Sequence, residues 1–222
     1  MEFHEDLHLQ TSKKIGIMGG TFDPIHLGHL VAAEAARCDF EMEKVIFVPS
    51  GQPPHKKDAS ISHKEFRYLM TVLATAANPY FEVSRTEIER KGDSYTIDTV
   101  KYMKEKMMPG GELFFITGAD AILEIMTWKN VEELLDVATF IAATRPGYNL
   151  KELRERLSFK LHKRYMERII PIEVPAMAIS STDIRNRLKE QRSIKYLLPE
   201  SVENFIYKNG LYQDKQDTCK NI

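Results

Sequence analysis

The sequence predicts an α/β fold built on a doubly wound parallel sheet. Six short apolar, strand-like segments recur along the chain, at residues 15–18, 44–48, 80–84, 112–116, 138–143 and 168–174. Segments with helical periodicity separate them, and this alternation is typical of parallel strands joined by crossover helices. Ligands of such sheets bind beyond the carboxyl ends of the strands. The residues that follow each strand are therefore the candidates for function.

The first strand leads into the most informative stretch, IGIMGGTFDPIHLGH at residues 15–29. Gly19 and Gly20 end the apolar run, and their missing Cβ atoms let backbone N–H groups approach a ligand closely. The proline that follows blocks helix before it, and a helix is predicted to begin directly after it. His26 and His29 then lie one turn apart on one side of this helix. Glycine amides, helix N–H dipoles and two imidazoles together predict an anion site that suits a phosphate.

Local signals mark several later helices. Capping boxes are predicted over Ser62–Glu65 and over Asn149–Glu152. Pro199 is predicted at the first position of the last helix, and Gly210 is predicted to stop it. Leucines spaced at helical intervals between residues 150 and 161 indicate that this segment packs one face against the core.

Composition is that of an ordinary globular protein, with 222 residues of which 43% are hydrophobic. We expect one domain at 14–212, an N-terminal tail at 1–13 and a mobile C-terminal tail at 213–222. The two cysteines lie far apart, which argues against a disulfide and fits a reducing cytoplasm. The sequence has neither a bilayer-spanning apolar run nor the apolar core of a signal peptide. A net charge of −1 argues against general binding to nucleic acid or membrane surfaces, and assembly into a homo-oligomer stays open.

Polar or glycine-rich groups follow five of the six predicted strands. They are Gly19, Gly20, Thr21, Phe22, Asp23, His26 and His29 after the first strand; Pro53, Pro54, His55 and Lys56 after the second; Gly118, Ala119 and Asp120 after the fourth; Arg145 after the fifth; and Ser180, Ser181, Thr182 and Arg185 after the sixth. Because parallel strands end at the same edge of a sheet, these groups are expected to cluster.

Two common phosphate-binding motifs are excluded at the first strand. A Walker loop needs lysine followed by serine or threonine, and a dinucleotide fingerprint needs a second glycine where Met18 stands. A second phosphate-type segment, SSTDIR, lies at residues 180–185. There Ser180 or Ser181 can cap a helix, and Arg185 lies one turn further on the same side. Hydroxyls, free N–H groups and a guanidinium make a triphosphate clamp.

Each motif also has a plainer interpretation. Asp23, His26 and His29 are spaced by three residues, which would also suit a metal site. Trp128, the sole tryptophan, would more often be a core residue than a stacking platform. Ser180 could do no more than cap a helix. A lysine such as Lys56 in a proline-rich loop is ordinarily just solvated.

GGTFDPIHLGH resembles the signature of the HxGH nucleotidyltransferase superfamily, and ISSTDIR is similar to its second, carboxy-terminal signature. Four smaller matches are similar to the bacterial nicotinate-nucleotide adenylyltransferases: PPHK at 53–56, SYTIDT at 94–99, GAD at 118–120, and Trp128. The resemblance runs from about Lys14 to Tyr212. It implies a Rossmann-like nucleotidyltransferase fold and transfer of AMP from ATP to nicotinate mononucleotide in NAD biosynthesis, with Mg²⁺ accompanying ATP and no metal held by the protein.

The resemblance also implies roles for individual residues. His26, His29 and Arg185 would be catalytic. The ATP site would be formed by Gly19, Gly20, Thr21, Phe22, His26, His29, Gly118, Asp120, Arg145, Ser181, Thr182 and Arg185. The acceptor would meet Lys56, Thr96 and Trp128. Two alternatives stay open: a related nucleotidyltransferase with another acceptor, such as nicotinamide mononucleotide, phosphopantetheine or glycerol phosphate, and a non-catalytic nucleotide sensor.

Overall fold

The computed structural model describes residues 13–53, 61–144, 147, 149–159, 161–175 and 178–213. Its single sheet has strands β1 (Lys14–Gly20), β2 (Lys44–Pro49), β3 (Phe81–Val83), β4 (Glu112–Gly118), β5 (Thr139–Thr144) and β6 (Ile169–Glu173). All neighbouring pairs are parallel, in the order β3-β2-β1-β4-β5-β6. The six predicted strands are confirmed. The chain reverses its direction of winding between β1 and β4, which opens a crevice at their carboxyl ends.

Helices cover both faces of the sheet. They are α1 (Leu27–Asp39), α2 (Lys64–Thr75), α3 (Thr86–Glu89), α4 (Thr96–Met107), α5 (Ala119–Leu123), α6 (Val131–Val137), α7 (Leu150–Ser158), α8 (Lys163–Met166), α9 (Ser181–Lys189) and α10 (Glu200–Lys208), with a 3₁₀ turn at Ile125–Thr127. Within the described ranges, every helix is too short or too polar to cross a bilayer.

Two hydrophobic cores lie on opposite faces of the sheet because successive strand side chains point to opposite sides. Ile17 and Phe115 belong to the core shared with α4, α5, α6, α7 and α8. Met18 and Phe114 belong to the core shared with α1, α2, α9 and α10. The doubly wound α/β prediction is therefore confirmed, and the central strands are buried on both faces.

One predicted helix start is wrong. The N-cap of α2 is His63, whose ring accepts a hydrogen bond from the Glu65 N–H at 3.4 Å, and not Ser62. The Ser62 backbone is bound elsewhere in the fold: its N–H donates to the Asp23 carboxylate at 3.4 Å, and its carbonyl accepts from Arg67 at 3.0 Å. Tertiary contacts have overridden the local capping pattern.

The other boundary signals agree with the structure within one residue. The Asn149 side chain caps α7 by accepting from the Glu152 N–H at 3.1 Å. Pro199 occupies the N-cap of α10 instead of its first turn. Gly210 has φ of +57° just beyond that helix, as a stop signal requires. The predicted tails lie almost wholly outside the described residues, so the domain boundaries stay a prediction.

Candidate active site

A cavity of about 500 Å³ lies at the carboxyl ends of β1 and β4. Its size is within the usual range for small-molecule sites. The candidate residues from the sequence that line it are Gly19, Gly20, Thr21, His26, His29, Pro53, Gly118 and Trp128. The structure thus brings together groups separated by up to about a hundred positions in sequence, at the edge of the sheet where they were expected.

The two histidines stand at the start of α1. His26 is the N-cap and is only 7% exposed, and His29 follows in the first turn. Their rings are stacked, with centroids 3.7 Å apart and an angle of 29° between the planes. Gly28 makes room for this pair, because a Cβ there would lie 3.1 Å from atoms of the His26 ring. A larger residue between the histidines would require the His26 ring to shift by a few tenths of an ångström.

Hydrogen bonding defines the protonation of His29. The backbone N–H of His26 donates to His29 Nδ1 at 3.2 Å, so the neutral ring carries its proton on Nε2. Burial, and in second place the charge on His26, holds the pKa of His29 well below its usual value. His29 is consequently a neutral hydrogen-bond donor at pH 7. Phe22, which is 2% exposed, supports it edge-on with ring centroids 5.1 Å apart.

The glycine pair is constrained by aromatic rings. A Cβ on Gly19 would lie 2.7 Å from Phe115 Cζ, and one on Gly20 would lie 2.8 Å from Phe22 Cε1. Both glycines pair with β2 as the last residues of β1. The sequence analysis explained these glycines only by close approach to a ligand, whereas the structure adds tight packing beneath the cavity floor.

The second motif is hydrogen-bonded to the first. Ser180 caps α9 by accepting from the Asp183 N–H at 3.1 Å. The Ser181 hydroxyl donates to the Pro24 carbonyl at 2.8 Å. Arg185 donates to the Asp23 carbonyl at 2.7 Å and to the Thr182 hydroxyl at 3.3 Å. Residues more than 150 positions apart in sequence therefore join the first turn of α9 to the segment that leads into α1.

Trp128 combines the two interpretations that the sequence left open. The half-buried indole packs edge-on against Phe115 and Phe140, with centroids at 5.9 and 6.1 Å, and it also lines the cavity. Its position is therefore fixed by the core while one part faces the ligand space. The partly buried Thr96 begins α4, and the exposed Asp120 lies in the first turn of α5.

Residues 17–187 match the family model described as cytidylyltransferase-like. A curated protein of Moorella thermoacetica, named "Probable nicotinate-nucleotide adenylyltransferase", is 61% identical over 205 residues, which are 92% of this chain and 94% of the relative. A protein of the same name from Thermoanaerobacter sp. is 54% identical over 209 residues, covering 94% and 99% of the two chains. The chain belongs to the nicotinate-nucleotide adenylyltransferase family, within the cytidylyltransferase-like proteins. The resemblance inferred from the motifs is confirmed.

Solved structures related to this family share the fold. The Plasmodium falciparum nicotinic acid mononucleotide adenylyltransferase complexed with NaAD matches with a TM-score of 0.69 at 22% identity, over 90% of this chain and 97% of that one. A structure from Vibrio parahaemolyticus, titled a putative nicotinate-nucleotide adenylyltransferase, gives 0.64 at 19% identity, over 90% and 95%. At these identities the likeness establishes the Rossmann-like nucleotidyltransferase fold alone.

Two predicted family residues, Lys56 and Arg145, lie outside the described residues, as do Pro54 and His55. Their roles stay predictions. The structure also contains a buried charged residue that the sequence analysis missed, Arg67, which is 1% exposed. The available signal was its place on the buried face of α2, one helical turn before Met70 and Thr71.

The metal interpretation of the first motif gains no support. Across the part of the chain that the structure describes, no three His, Cys, Asp or Glu side chains gather as a metal site. The Asp23 carboxylate, 5% exposed, instead accepts a hydrogen bond from the Tyr212 hydroxyl at 2.6 Å and a longer one from the Ser62 N–H. Burial, reinforced by the charge on Asp23, raises the pKa of Tyr212 well above its ordinary value, so this hydroxyl stays protonated.

The lowered pKa of His29 predicts a dependence of stability on pH. Below the unfolded-state pKa of about 6.5 the unfolded chain binds a proton at this residue more readily than the folded chain does, so stability falls as pH falls. We expect His29 to contribute at most about 1.4 kcal/mol of lost stability per pH unit below that value. Urea unfolding at pH 7.5 and 5.5 should show a larger loss for the wild type than for His29→Asn. Equal losses in the two proteins would mean that His29 titrates normally when folded.

Proposed function

We propose that the chain transfers AMP from ATP to nicotinate mononucleotide in the cytoplasm, forming nicotinate adenine dinucleotide, a precursor of NAD, and pyrophosphate. The names of the 61% and 54% identical relatives support this activity. The observation that carries the proposal is the stacked pair of His26 and His29 at the start of α1, in a cavity that Trp128 also lines. This arrangement offers a phosphate site and an aromatic surface within one space.

The reaction needs no protein nucleophile and no general base. A phosphate oxygen of the mononucleotide, already ionised at neutral pH, attacks the α-phosphorus of ATP. A new P–O bond forms as the bond from the α-phosphorus to the oxygen that bridges the α- and β-phosphates breaks, and pyrophosphate leaves with that electron pair. Catalysis then consists of in-line positioning and stabilisation of the charge that builds on the α-phosphate.

His29 is assigned to that charge. Its Nε2–H donates to an α-phosphate oxygen, and the bond strengthens as negative charge accumulates in the transition state. A phosphate beside the ring also favours the protonated form, so the low pKa of His29 rises when ATP binds. His26, stacked on the same ring, and the N–H groups at the start of α1 act on the same anion. Gly19, Gly20 and Thr21 form the wall beside it.

The remaining ATP groups follow from the second motif. Ser181, Thr182 and Arg185 lie in the first turns of α9, and we assign the β- and γ-phosphates to them. ATP enters as its Mg²⁺ complex. Mg²⁺ keeps several waters and takes phosphate oxygens as ligands, which suits a cavity whose described lining contains no Asp or Glu. Gly118 and Asp120 are assigned to the ribose, with Phe22 and Arg145 completing the ATP site.

Trp128 is assigned to the acceptor. Its indole stacks on the pyridine ring, while Thr96 and Lys56 bind the carboxylate and phosphate of the mononucleotide. Core packing of Trp128 against Phe115 and Phe140 sets the plane of the indole before the ligand arrives, which lowers the entropic cost of stacking.

A pyrophosphate-release assay with MgATP tests the proposal. We expect release, with the dinucleotide detected as product, when nicotinate mononucleotide is the acceptor, and moderately slower release with nicotinamide mononucleotide. Release should stop when EDTA removes Mg²⁺. Release only with phosphopantetheine or glycerol phosphate would assign a different nucleotidyltransferase reaction. Binding of ATP without release in the presence of any of these acceptors would assign a nucleotide sensor.

A further inference from the structure

Arg67 is the largest fully buried side chain in the described part of the molecule and lies outside the cavity lining. Its guanidinium donates three hydrogen bonds to three backbone carbonyls from separate segments. Nη1 donates to Thr21 at 2.7 Å, Nη2 to Gly51 at 3.1 Å and Nε to Ser62 at 3.0 Å. A buried cation that is satisfied by carbonyls alone would be costly, so its surroundings must supply compensating charge.

Asp23 supplies that charge. Its buried carboxylate accepts from the Ser62 N–H, while the Ser62 carbonyl accepts from Arg67, so the two charges hold opposite sides of one residue. Burial lowers the pKa of Arg67, and the charge on Asp23 acts against this effect. Arginine stays protonated under these conditions. The two buried groups are therefore linked through the Ser62 backbone, and Asp23 lies in the segment that leads into α1.

The second carbonyl belongs to Gly51, a residue whose backbone is held by hydrogen bonds on both sides. Its own N–H donates to the Ser94 hydroxyl at 3.0 Å, so both of its backbone groups are held. No side chain fits at this position, because a Cβ would lie 2.1 Å from the Glu87 carbonyl oxygen. Arg67 consequently ties the Thr21 carbonyl to the Gly51 carbonyl, whose residue is itself bound to Ser94 and packed closely against Glu87.

Thr21 lies between the glycine pair and the histidines. The segment that begins at Thr21 is also held by Arg185 and Ser181, at the Asp23 and Pro24 carbonyls. It ends at the His26 N–H, which holds His29 by the 3.2 Å bond to Nδ1. An active-site displacement of about 1 Å can cost about 100-fold in rate. A guanidinium with three fixed donors restrains this segment in a way that the single ammonium of lysine cannot reproduce.

We propose that Arg67 is a positioning residue, which fixes the Thr21 peptide against Gly51 and thereby sets the tautomer and orientation of His29. It acts through His29 and contacts no substrate. The inference deepens the proposed adenylyl transfer and rests on that function only for its kinetic consequence. Its structural consequence, a defined Nε2–H tautomer of His29, holds whatever the acceptor is.

The test compares Arg67→Lys and Arg67→Gln with Met70→Ala. Met70 lies one turn further along α2, is fully buried in the core on that face of the sheet, and is not among the cavity residues. The binding stoichiometry of a non-hydrolysable ATP analogue gives the fraction of competent sites, and kcat is expressed per competent site. Long-range ¹H–¹⁵N NMR of the imidazoles reports the tautomer of His29 without any turnover.

In an Arg67 variant that unfolds cooperatively, we expect kcat per competent site to fall about 10-fold or more. Its His29 signals should shift towards mixed tautomers. Met70→Ala should melt at a lower temperature yet keep kcat per site within about twofold and an unchanged His29 spectrum.

An unchanged kcat or spectrum in the Arg67 variant, or equal changes in Met70→Ala, overturns the proposal. If neither Arg67 variant folds, the residue serves the fold and the proposal is likewise overturned. A wild type without transfer activity would contradict the proposed function, while the NMR comparison would still decide the role of Arg67.

Discussion

His29→Ala lowers kcat by about 30-fold to 1,000-fold, which corresponds to about 2–4 kcal/mol of lost transition-state stabilisation. The affinity for ATP changes much less, because the Nε2–H bond to the α-phosphate is worth most when negative charge has accumulated there. The basis of this expectation is the hydrogen bond that orients the His29 ring, together with the burial that lowers the pKa of this imidazole. Steady-state kinetics and calorimetric ATP binding measure the two quantities separately.

His162→Ala is the matched control. Like His29, His162 accepts a hydrogen bond from a backbone N–H through Nδ1, but it is the exposed N-cap of α8 and is not among the residues that line the cavity. We expect kcat of this variant to stay within about twofold of the wild type, since surface changes of this kind have small effects. Near-normal turnover in His29→Ala, or an equal loss in both variants, would contradict the role assigned to His29.

Phe140→Ala lowers the free energy of unfolding by about 3–5 kcal/mol. Phe140 is fully buried in β5, the strand between β4 and the edge strand β6, with its ring 5.1 Å from Phe115 and 6.1 Å from Trp128 by centroid distance. Removing the ring takes away buried apolar surface and leaves a cavity beside both neighbours. Urea unfolding measures the loss, and the fluorescence of Trp128, the only tryptophan, should shift because its supporting ring is gone.

Phe159→Ala is the control for this prediction, as it makes the same chemical change at a side chain that is 90% exposed. We expect its free energy of unfolding to change by no more than about 0.5 kcal/mol, with the tryptophan emission unaltered. Similar losses in the two variants would show that burial of Phe140 is not what stabilises the sheet.

The order of strands and helices could be predicted from the sequence because hydrophobic period and length are local properties. The same holds for the edge of the sheet where function would lie, since parallel strands end on one side. Helix caps predicted from the local sequence were less reliable. Asn149 caps α7 as predicted, but Ser62 does not cap α2, because its backbone is held by Asp23 and Arg67 from other parts of the fold. A capping pattern cannot report such competition.

For the candidate site, the sequence predicted part of the set that gathers: the glycine pair, the two histidines, Gly118 and Trp128 line one cavity. Asp120, Ser181, Thr182 and Arg185, predicted for the same ATP site, are not among its lining residues. The residues that do line it could be predicted because motif spacing and strand order can be obtained directly from the sequence. The protonation and hydrogen bonding of those groups depend on the packed fold. The tautomer and low pKa of His29 depend on burial and on a backbone donor, and the buried Arg67 depends on three carbonyls from distant segments. Desolvation and long-range hydrogen bonds arise only when the chain is packed, so no local pattern encodes them.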